Sequence, residues 1–117
     1  PLANAVARLE EAAAAWAAAE VDPATLDAAT LARLNRLLYT SERVLTHEDG
    51  LPRRPWFRHH VYAPGFYTGY GVKTLPAVRE AIEEREFDTV EVQVRRTAAV
   101  LEAMAERIET IAALVEE

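Results

Sequence analysis

The amino-acid sequence predicts an all-α fold, a four-helix bundle with one long ordered loop between the second and third helices. Apolar residues recur at helical spacing through most of the chain. No segment has the alternating apolar and polar residues that would predict a β-strand, since residues 60–62 are too short to count as one. Most of the aromatic, glycine and proline residues concentrate in one stretch. With 117 residues, of which 50% are apolar, the chain can form one domain with a modest core.

The first two helices are predicted from apolar periodicity and from capping residues. Residues 2–20 carry apolar side chains every three or four positions, which is typical of an amphipathic helix. Asp22 and Pro23 then begin a second helix, because aspartate caps free N–H groups and proline suits the first helical position. Leucines continue its apolar face to about His47. Gly50 is predicted to provide a left-handed C-cap.

The last two helices follow the loop. A short third helix is predicted over residues 76–85, and Asp88 with Glu91 resembles a capping box that begins the fourth. Two sets of inward positions in the fourth helix repeat every seven residues, Val90, Thr97, Met104 and Ile111, and Val94, Leu101, Ile108 and Val115. Such a seam predicts helix packing within the domain, with an intersubunit contact as the alternative.

The loop, residues 51–76, differs in composition from the rest of the chain. It holds six of the nine aromatic residues, three of the four glycines and four of the six prolines. It contributes +4 to a net charge of −6, which leaves −10 for the helices. So long an insertion in a small domain is usually functional or disordered, and aromatic surface favours burial. The loop is therefore predicted to be ordered and functional.

Composition excludes several classes of function. There is no cysteine, so neither disulfides nor zinc–thiolate sites can form. No apolar run is long enough to span a bilayer, and the N-terminus does not resemble a signal peptide. The start at Pro1 predicts that the chain is a fragment of a larger protein. No catalytic residues and no cofactor are predicted within the chain.

The histidines and their acidic neighbours are candidates for a metal site. His47, Glu48 and Asp49 are consecutive, and His59 and His60 follow a short distance on. Imidazole and carboxylate groups can bind zinc, but consecutive residues cannot all face one ion and no HExxH helix is present. The prediction is hydrogen-bonded loop histidines and no metal site.

The cations and aromatic residues of the loop allow two interpretations. They could bind a nucleic acid or a protein partner, which would make the chain a free-standing helical binding module, although the acidic helices disfavour nucleic-acid binding. Alternatively, the aromatic residues anchor the loop on the helices while the cations pair with acidic helices or another chain. The second interpretation is favoured. The residues concerned are Arg53, Arg54, Trp56, Phe57, Arg58 and Tyr62.

The glycine–tyrosine strip, residues 65–71, suits a different role. It combines flexible backbone with phenol hydroxyls, which favours contact with a small polar ligand or a partner. Tyr70 and Lys73 together could bind a carboxylate.

At these residues the sequence resembles a known family. The run GLPRRPWFRH (Gly50–His59), the Tyr-Ala-Pro at 62–64 and the Tyr70–Pro76 stretch leading into a helix resemble the transferrin-receptor-like dimerisation domain of glutamate carboxypeptidases and their bacterial relatives. The flanking helices agree in length and order, so the resemblance covers essentially the whole chain.

The resemblance implies a role in assembly. Residues 1–117 would be one dimerisation domain, with its long loop over residues 48–75, at the C-terminal end of a larger peptidase. The chain would form a homodimer and contact the parent's peptidase domain, which would hold the zinc. Nucleic acid is not an expected partner, and no membrane segment is expected in this fragment. The chain alone would hydrolyse nothing.

The resemblance also implies a substrate contact. In the carboxypeptidases the loop reaches the active site of its own chain, where a Lys-Tyr pair senses the carboxylate of a C-terminal glutamate. The tyrosine falls on Tyr70, but Gly69 stands where the family has lysine. Tyr67 and Lys73 complete the set of candidate substrate-binding residues, with Lys73 as the alternative cation. Glutamate specificity is therefore open.

Overall fold

The computed structural model describes residues 1–67 and 71–116, most of them in helices. Four α-helices occur in this part of the chain, α1 Leu2–Ala18, α2 Ala28–Tyr39, α3 Pro76–Glu83 and α4 Phe87–Glu116. Short 3-10 helices lie on either side of α2, at Pro23–Thr25 and Ser41–Leu45. The predicted mostly helical fold is confirmed. No helix among the described residues is long and apolar enough to cross a membrane.

Helix α4 is the element on which the other helices pack. Ala5 of α1 is fully buried in a cluster with Ala98, and Arg8 reaches Glu109 further along α4, so the two helices run in the same direction. Alanine at these contact positions allows the backbones to approach closely. Helix α2 runs the opposite way, because its C-terminal end contacts Arg107 while its N-terminal end lies near residues 114 and 115.

The heptad positions of α4 face inward as predicted. Every residue of the two sets is buried or half-buried, and the most buried are Thr97, Leu101 and Ile111. The seam therefore packs against the other elements of this chain. Because the inward positions repeat along the whole length of α4, this one helix can contact α1, α2 and α3.

The prediction of one continuous second helix was wrong. Two aspartates each cap a separate segment, Asp22 accepting from the Ala24 N–H at 3.0 Å and Asp27 from the Thr30 N–H at 2.8 Å. At the other end, the hydroxyls of Thr40 and Ser41 bond to carbonyls one turn back, at 2.7 and 2.6 Å. Such side-chain bonds compete with the helical ladder and end α2 eight residues before His47.

Two other boundary predictions are corrected. Helix α4 begins at Phe87, so Asp88 lies within its first turn, where a negative charge favours the helix dipole. Gly50 is left-handed, with a φ of +69°, but it forms a tight turn outside any helix. A Cβ there would lie 2.2 Å from the Pro55 carbonyl oxygen, so only glycine fits.

The loop contains a small antiparallel hairpin that alternation did not predict. Strands β1, Tyr62–Pro64, and β2, Val72–Thr74, pair with Ala63 opposite Lys73. Three residues per strand are too few to leave a periodic signal in the sequence. Ala63 forms a separate buried cluster with Leu51 and Ala77 of α3. This cluster places the hairpin against α3 and positions the site described next.

Candidate functional site

The aromatic residues of the loop point outward. All five that the structure describes are exposed, from 38% for Phe57 and Phe66 to 75% for Tyr67. The prediction that aromatic residues anchor the loop was therefore wrong. The buried anchors are instead Leu51, Arg54 and His60, at 1%, 3% and 0% exposure.

A buried ion pair joins the loop to α3. The Arg54 guanidinium donates through Nη2 to Glu80 Oε1, and both side chains are almost completely buried. Arg54 Nη1 also donates to the Pro52 carbonyl at 3.1 Å. The second oxygen of Glu80 accepts the Phe66 N–H at 2.8 Å. One carboxylate thus holds both the start of the loop and the glycine–tyrosine strip.

Two further ion pairs lie beside the first, one with Glu83 in the last turn of α3 and one with Glu84, the residue that follows it. Arg53 Nη2 lies 2.6 Å from Glu84 Oε2, and Lys73 Nζ lies 2.5 Å from Glu83 Oε1. These three ion pairs, including Arg54–Glu80, are called the loop clamp below. The clamp confirms the expectation that loop cations pair with an acidic helix. Ion pairs compensate three of the four loop cations. Arg58 keeps its charge without a carboxylate partner among the described residues, so the loop has little of the clustered positive charge that phosphate binding requires.

The clamp also supports the exposed aromatic residues. The Arg53 guanidinium lies 4.0 Å from the centroid of the Phe66 ring, a cation–π contact. Phe66 and Tyr67 meet edge to face at 4.9 Å. Arg53 donates to the Tyr67 hydroxyl at 3.3 Å. Arg53 therefore holds Phe66 and Tyr67, at the start of the glycine–tyrosine strip, from the side of the protein. Their outer side is exposed.

Two of the four candidate substrate-binding residues line one cavity. Tyr67 and Lys73 share a cavity of about 110 Å³ with Glu80, Glu83 and Glu84. The Lys73 ammonium, through its hydrogen bond, holds the pKa of Glu83 below its usual value. The charge of Lys73 is thus already compensated within the chain.

The other two candidates, Gly69 and Tyr70, lie outside the described residues. The sequence reasoning also missed the carboxylates that complete the site. The available signal was the acidic face of α3, with Glu80, Glu83 and Glu84 directly after a loop that carries only positive charge.

The loop histidines have separate partners. His59 Nε2 lies 3.1 Å from Glu42, whose carboxylate also accepts the Tyr62 hydroxyl at 2.8 Å. The rings of His47 and His60 lie 5.7 Å apart. Within residues 1–67 and 71–116, no three His, Asp or Glu side chains are grouped so that they could hold a metal ion.

His60 is the buried titratable group of the loop base. Its ring is fully buried, with Nδ1 2.9 Å from the Arg58 carbonyl oxygen. Nε2 has no hydrogen-bond partner among the described residues. Burial lowers the pKa of His60 below its usual value, and the positive charge of Arg96 and the neighbouring His47 lower it further.

Comparison with known proteins identifies the family. The family model for the transferrin receptor-like dimerisation domain matches residues 1–109, a range that includes α1 to α3, the loop clamp and most of α4. The chain belongs to this family. Within the matched range, Gly50, Leu51 and Arg54 have structural roles, because they supply the tight turn, part of the small core and the buried ion pair.

Two similar proteins carry names that indicate a peptidase. A probable glutamate carboxypeptidase of Arabidopsis thaliana is 48% identical over 50 residues, which cover 43% of this chain and 7% of that protein. A probable glutamate carboxypeptidase of Arthroderma benhamiae is 35% identical over 81 residues, 69% of this chain and 10% of that protein. The transferrin receptor-like dimerisation domain described here thus matches a tenth or less of the length of these relatives.

The buried pair of the loop clamp leads to a stability prediction. Glu80→Ala leaves the Arg54 guanidinium buried without a counter-charge, which we expect to lower the free energy of unfolding by about 3–5 kcal/mol. Glu83→Ala on the same helix breaks the more exposed pair with Lys73 and should cost less than about 1 kcal/mol. Chemical denaturation of both variants measures the difference. Equal losses would contradict the central role of Glu80, and the Arg54→Met/Glu80→Met double variant should recover most of the stability.

The burial of His60 leads to a pH prediction. The folded-state pKa of His60 is below that of the unfolded chain, about 6.5, so between these values the unfolded state binds more protons. Stability should therefore fall as the pH is lowered from 7.5 to 5.5. Denaturant midpoints measured across this range should show a shallower decline in His60→Gln than in wild type. An unchanged slope in His60→Gln would contradict the assignment.

Proposed function

We propose that this chain is the homodimerisation domain of a larger zinc-dependent exopeptidase and has no hydrolytic activity of its own. The match of the dimerisation-domain model to residues 1–109 carries the proposal. The names of the two relatives, and the small share of their length that the chain matches, support a peptidase parent. In this proposal residues 1–117 are one four-helix bundle domain, and zinc and the catalytic groups belong to the parent's peptidase domain.

The exposed apolar residues support contact with further protein surface. Trp56 is 71% exposed and Phe87 64%, while Ile82 on α3 is 52% exposed. Contiguous exposed apolar side chains mark interaction sites, and two such pairs lie in the loop, Trp56 with Phe57 at 6.3 Å and Phe66 with Tyr67 at 4.9 Å between ring centroids. We assign the loop aromatic residues to the contact with the parent's peptidase domain, because they lie next to the strip that is proposed to reach its substrate.

We further propose that the loop contributes to the parent's substrate pocket through Tyr70, with Gly69, Tyr67 and Lys73 beside it. The clamp supports this role, because Arg53 and Glu80 hold the neighbouring Phe66 and Tyr67 in place. Gly69 supplies no charge, and Lys73 is engaged by Glu83. A carboxylate ligand would have to compete with Glu83 for Lys73, so a preference for substrates other than C-terminal glutamate is the expected outcome.

The assembly role predicts self-association. The chain should sediment as a dimer at concentrations of tens of micromolar or above, and its apparent mass should fall on dilution. Analytical ultracentrifugation over a hundredfold concentration range measures this. A purely monomeric chain at the highest concentration would contradict a dimer interface within this domain.

The substrate role predicts a kinetic effect in the parent enzyme. Tyr70→Phe removes one hydroxyl and should lower kcat/KM for the preferred peptide about tenfold or more, the effect of losing one hydrogen bond to a charged group. Tyr39→Phe, on the exposed surface of α2, is the control for an equivalent change away from the loop. Unchanged kcat/KM on a peptide panel would exclude a pocket role for Tyr70.

A further inference from the structure

A groove beside α2 concentrates positive charge in an acidic protein. Four arginines line an open cavity of about 400 Å³, together with Leu37 and Thr40, and they are Arg33, Arg36, Arg43 and Arg107. Within the described part of the chain, none of these arginines forms an ion pair with a carboxylate. The chain as a whole carries a net charge of −6. These four arginines are called the arginine groove below.

Arg107 occupies a fixed position in this groove. Its Nη1 donates to the Leu37 carbonyl at 3.1 Å and to Thr40 Oγ1 at 2.8 Å. The carbonyl groups at the C-terminal end of α2 carry partial negative charge, which favours a cation there. Arg107 therefore presents a positioned guanidinium, with Arg36 and Arg43 exposed beside it.

An acidic row lies on the same helix as Arg107. Glu102, Glu106 and Glu109 are spaced four and three residues apart on α4, which places them on one helical face. Arg8 binds Glu109 with two contacts of 3.0 Å. Glu102 and Glu106 form no ion pair with the residues that the structure describes. The row therefore keeps an excess of negative charge.

The two charged surfaces border one shallow face of α4. An open cavity of about 270 Å³ includes one residue of each, Glu106 of the row and Arg107 of the groove, and its remaining lining residues are Val44, Ala103 and Thr110. On an α-helix, positions 106 and 107 are about 100° apart, so the row and the groove face different sides of this cavity. If a two-fold axis passes through this face, the acidic row of one copy lies opposite the arginine groove of the other. The same contact then occurs twice.

We propose that a second copy of this chain docks on this face, with the acidic row of each copy in the arginine groove of the other. The inference rests on the proposed homodimer and names its surface. In each of two equivalent contacts the four guanidiniums of the groove face the acidic row, in which Glu102 and Glu106 are not compensated by ion pairs with described residues, so the charges are complementary. Glu102 to Glu109 extend over about 10 Å of α4, at 1.5 Å per residue. The arginines of the groove come from α2, the 3-10 helix Ser41–Leu45 and α4. Surfaces of this length fit a protein partner better than a single small anion.

A charge exchange between two variants tests the proposal. One variant carries Arg36→Glu and Arg43→Glu, and the other carries Glu102→Arg and Glu106→Arg. Each variant alone places like charges opposite each other, which should weaken its homodimer at least about 100-fold. Mixed together, they restore opposite charges at both contacts and should form a heterodimer with near wild-type affinity. Sedimentation of the separate and mixed chains, with one chain fluorescently labelled, measures both species.

The control changes the charge equally at a distant place. Arg79→Glu/Arg85→Glu alters two exposed arginines at α3 and should leave dimerisation unchanged, while circular dichroism verifies that each variant is folded. Wild-type dimerisation should also weaken as NaCl is raised, because exposed charges are screened.

The outcomes separate this inference from the proposed function. If wild type dimerises and the two variants dimerise equally well alone, the arginine groove is not the interface, while the homodimer stands. Failure of the mixed variants to associate, when both are folded, also overturns the inference. If wild type is monomeric at every concentration, both proposals are overturned.

Discussion

The loop depends on a single buried carboxylate. Glu80 pairs with Arg54 and also accepts the backbone N–H of Phe66, so it connects α3 to two separate points of the loop. A guanidinium and a carboxylate lose most of their hydration when buried, and they are tolerated only if both remain hydrogen-bonded. Arg54 meets this condition at its two terminal nitrogens, through Glu80 and the Pro52 carbonyl, while its buried Nε has no hydrogen-bond partner among the described residues. Because the buried pair must stay hydrogen-bonded, it fixes the loop on α3 and thereby positions the hairpin and the exposed aromatic residues.

This way of holding the loop frees its aromatic residues for other contacts. If Trp56 or Tyr67 were buried on the helices, neither could meet another surface. Because the anchors are a small apolar cluster and an ion pair, the aromatic side chains remain exposed at 71% and 75%. The arrangement is consistent with a domain whose loop faces the rest of a larger protein, as proposed above, while the helices serve assembly.

Much of the helical framework was predictable from local pattern. The heptad positions of α4 correctly predicted which side of this helix is buried. An apolar repeat of this length can face the core in only one rotation of the helix about its axis. The second helix was mispredicted, since apolar spacing continued through residues where Asp27, Thr40 and Ser41 favour breaks by side-chain hydrogen bonds. The strands β1 and β2 left no signal because each has only three residues. Short-range patterns predict long elements better than interrupted ones.

The amino-acid sequence was enough to predict the mostly helical fold, the single unusual loop and the motif Gly50–Pro64 that marks the family. Which side chains anchor the loop depends on tertiary packing. Composition favoured the aromatic residues, whereas the fold buries Arg54 and His60. The reason is that a buried charge requires a partner at a fixed place, and Glu80 is 26 residues away from Arg54 along the chain. No local pattern encodes such a pairing, because it exists only once α3 has packed against the loop.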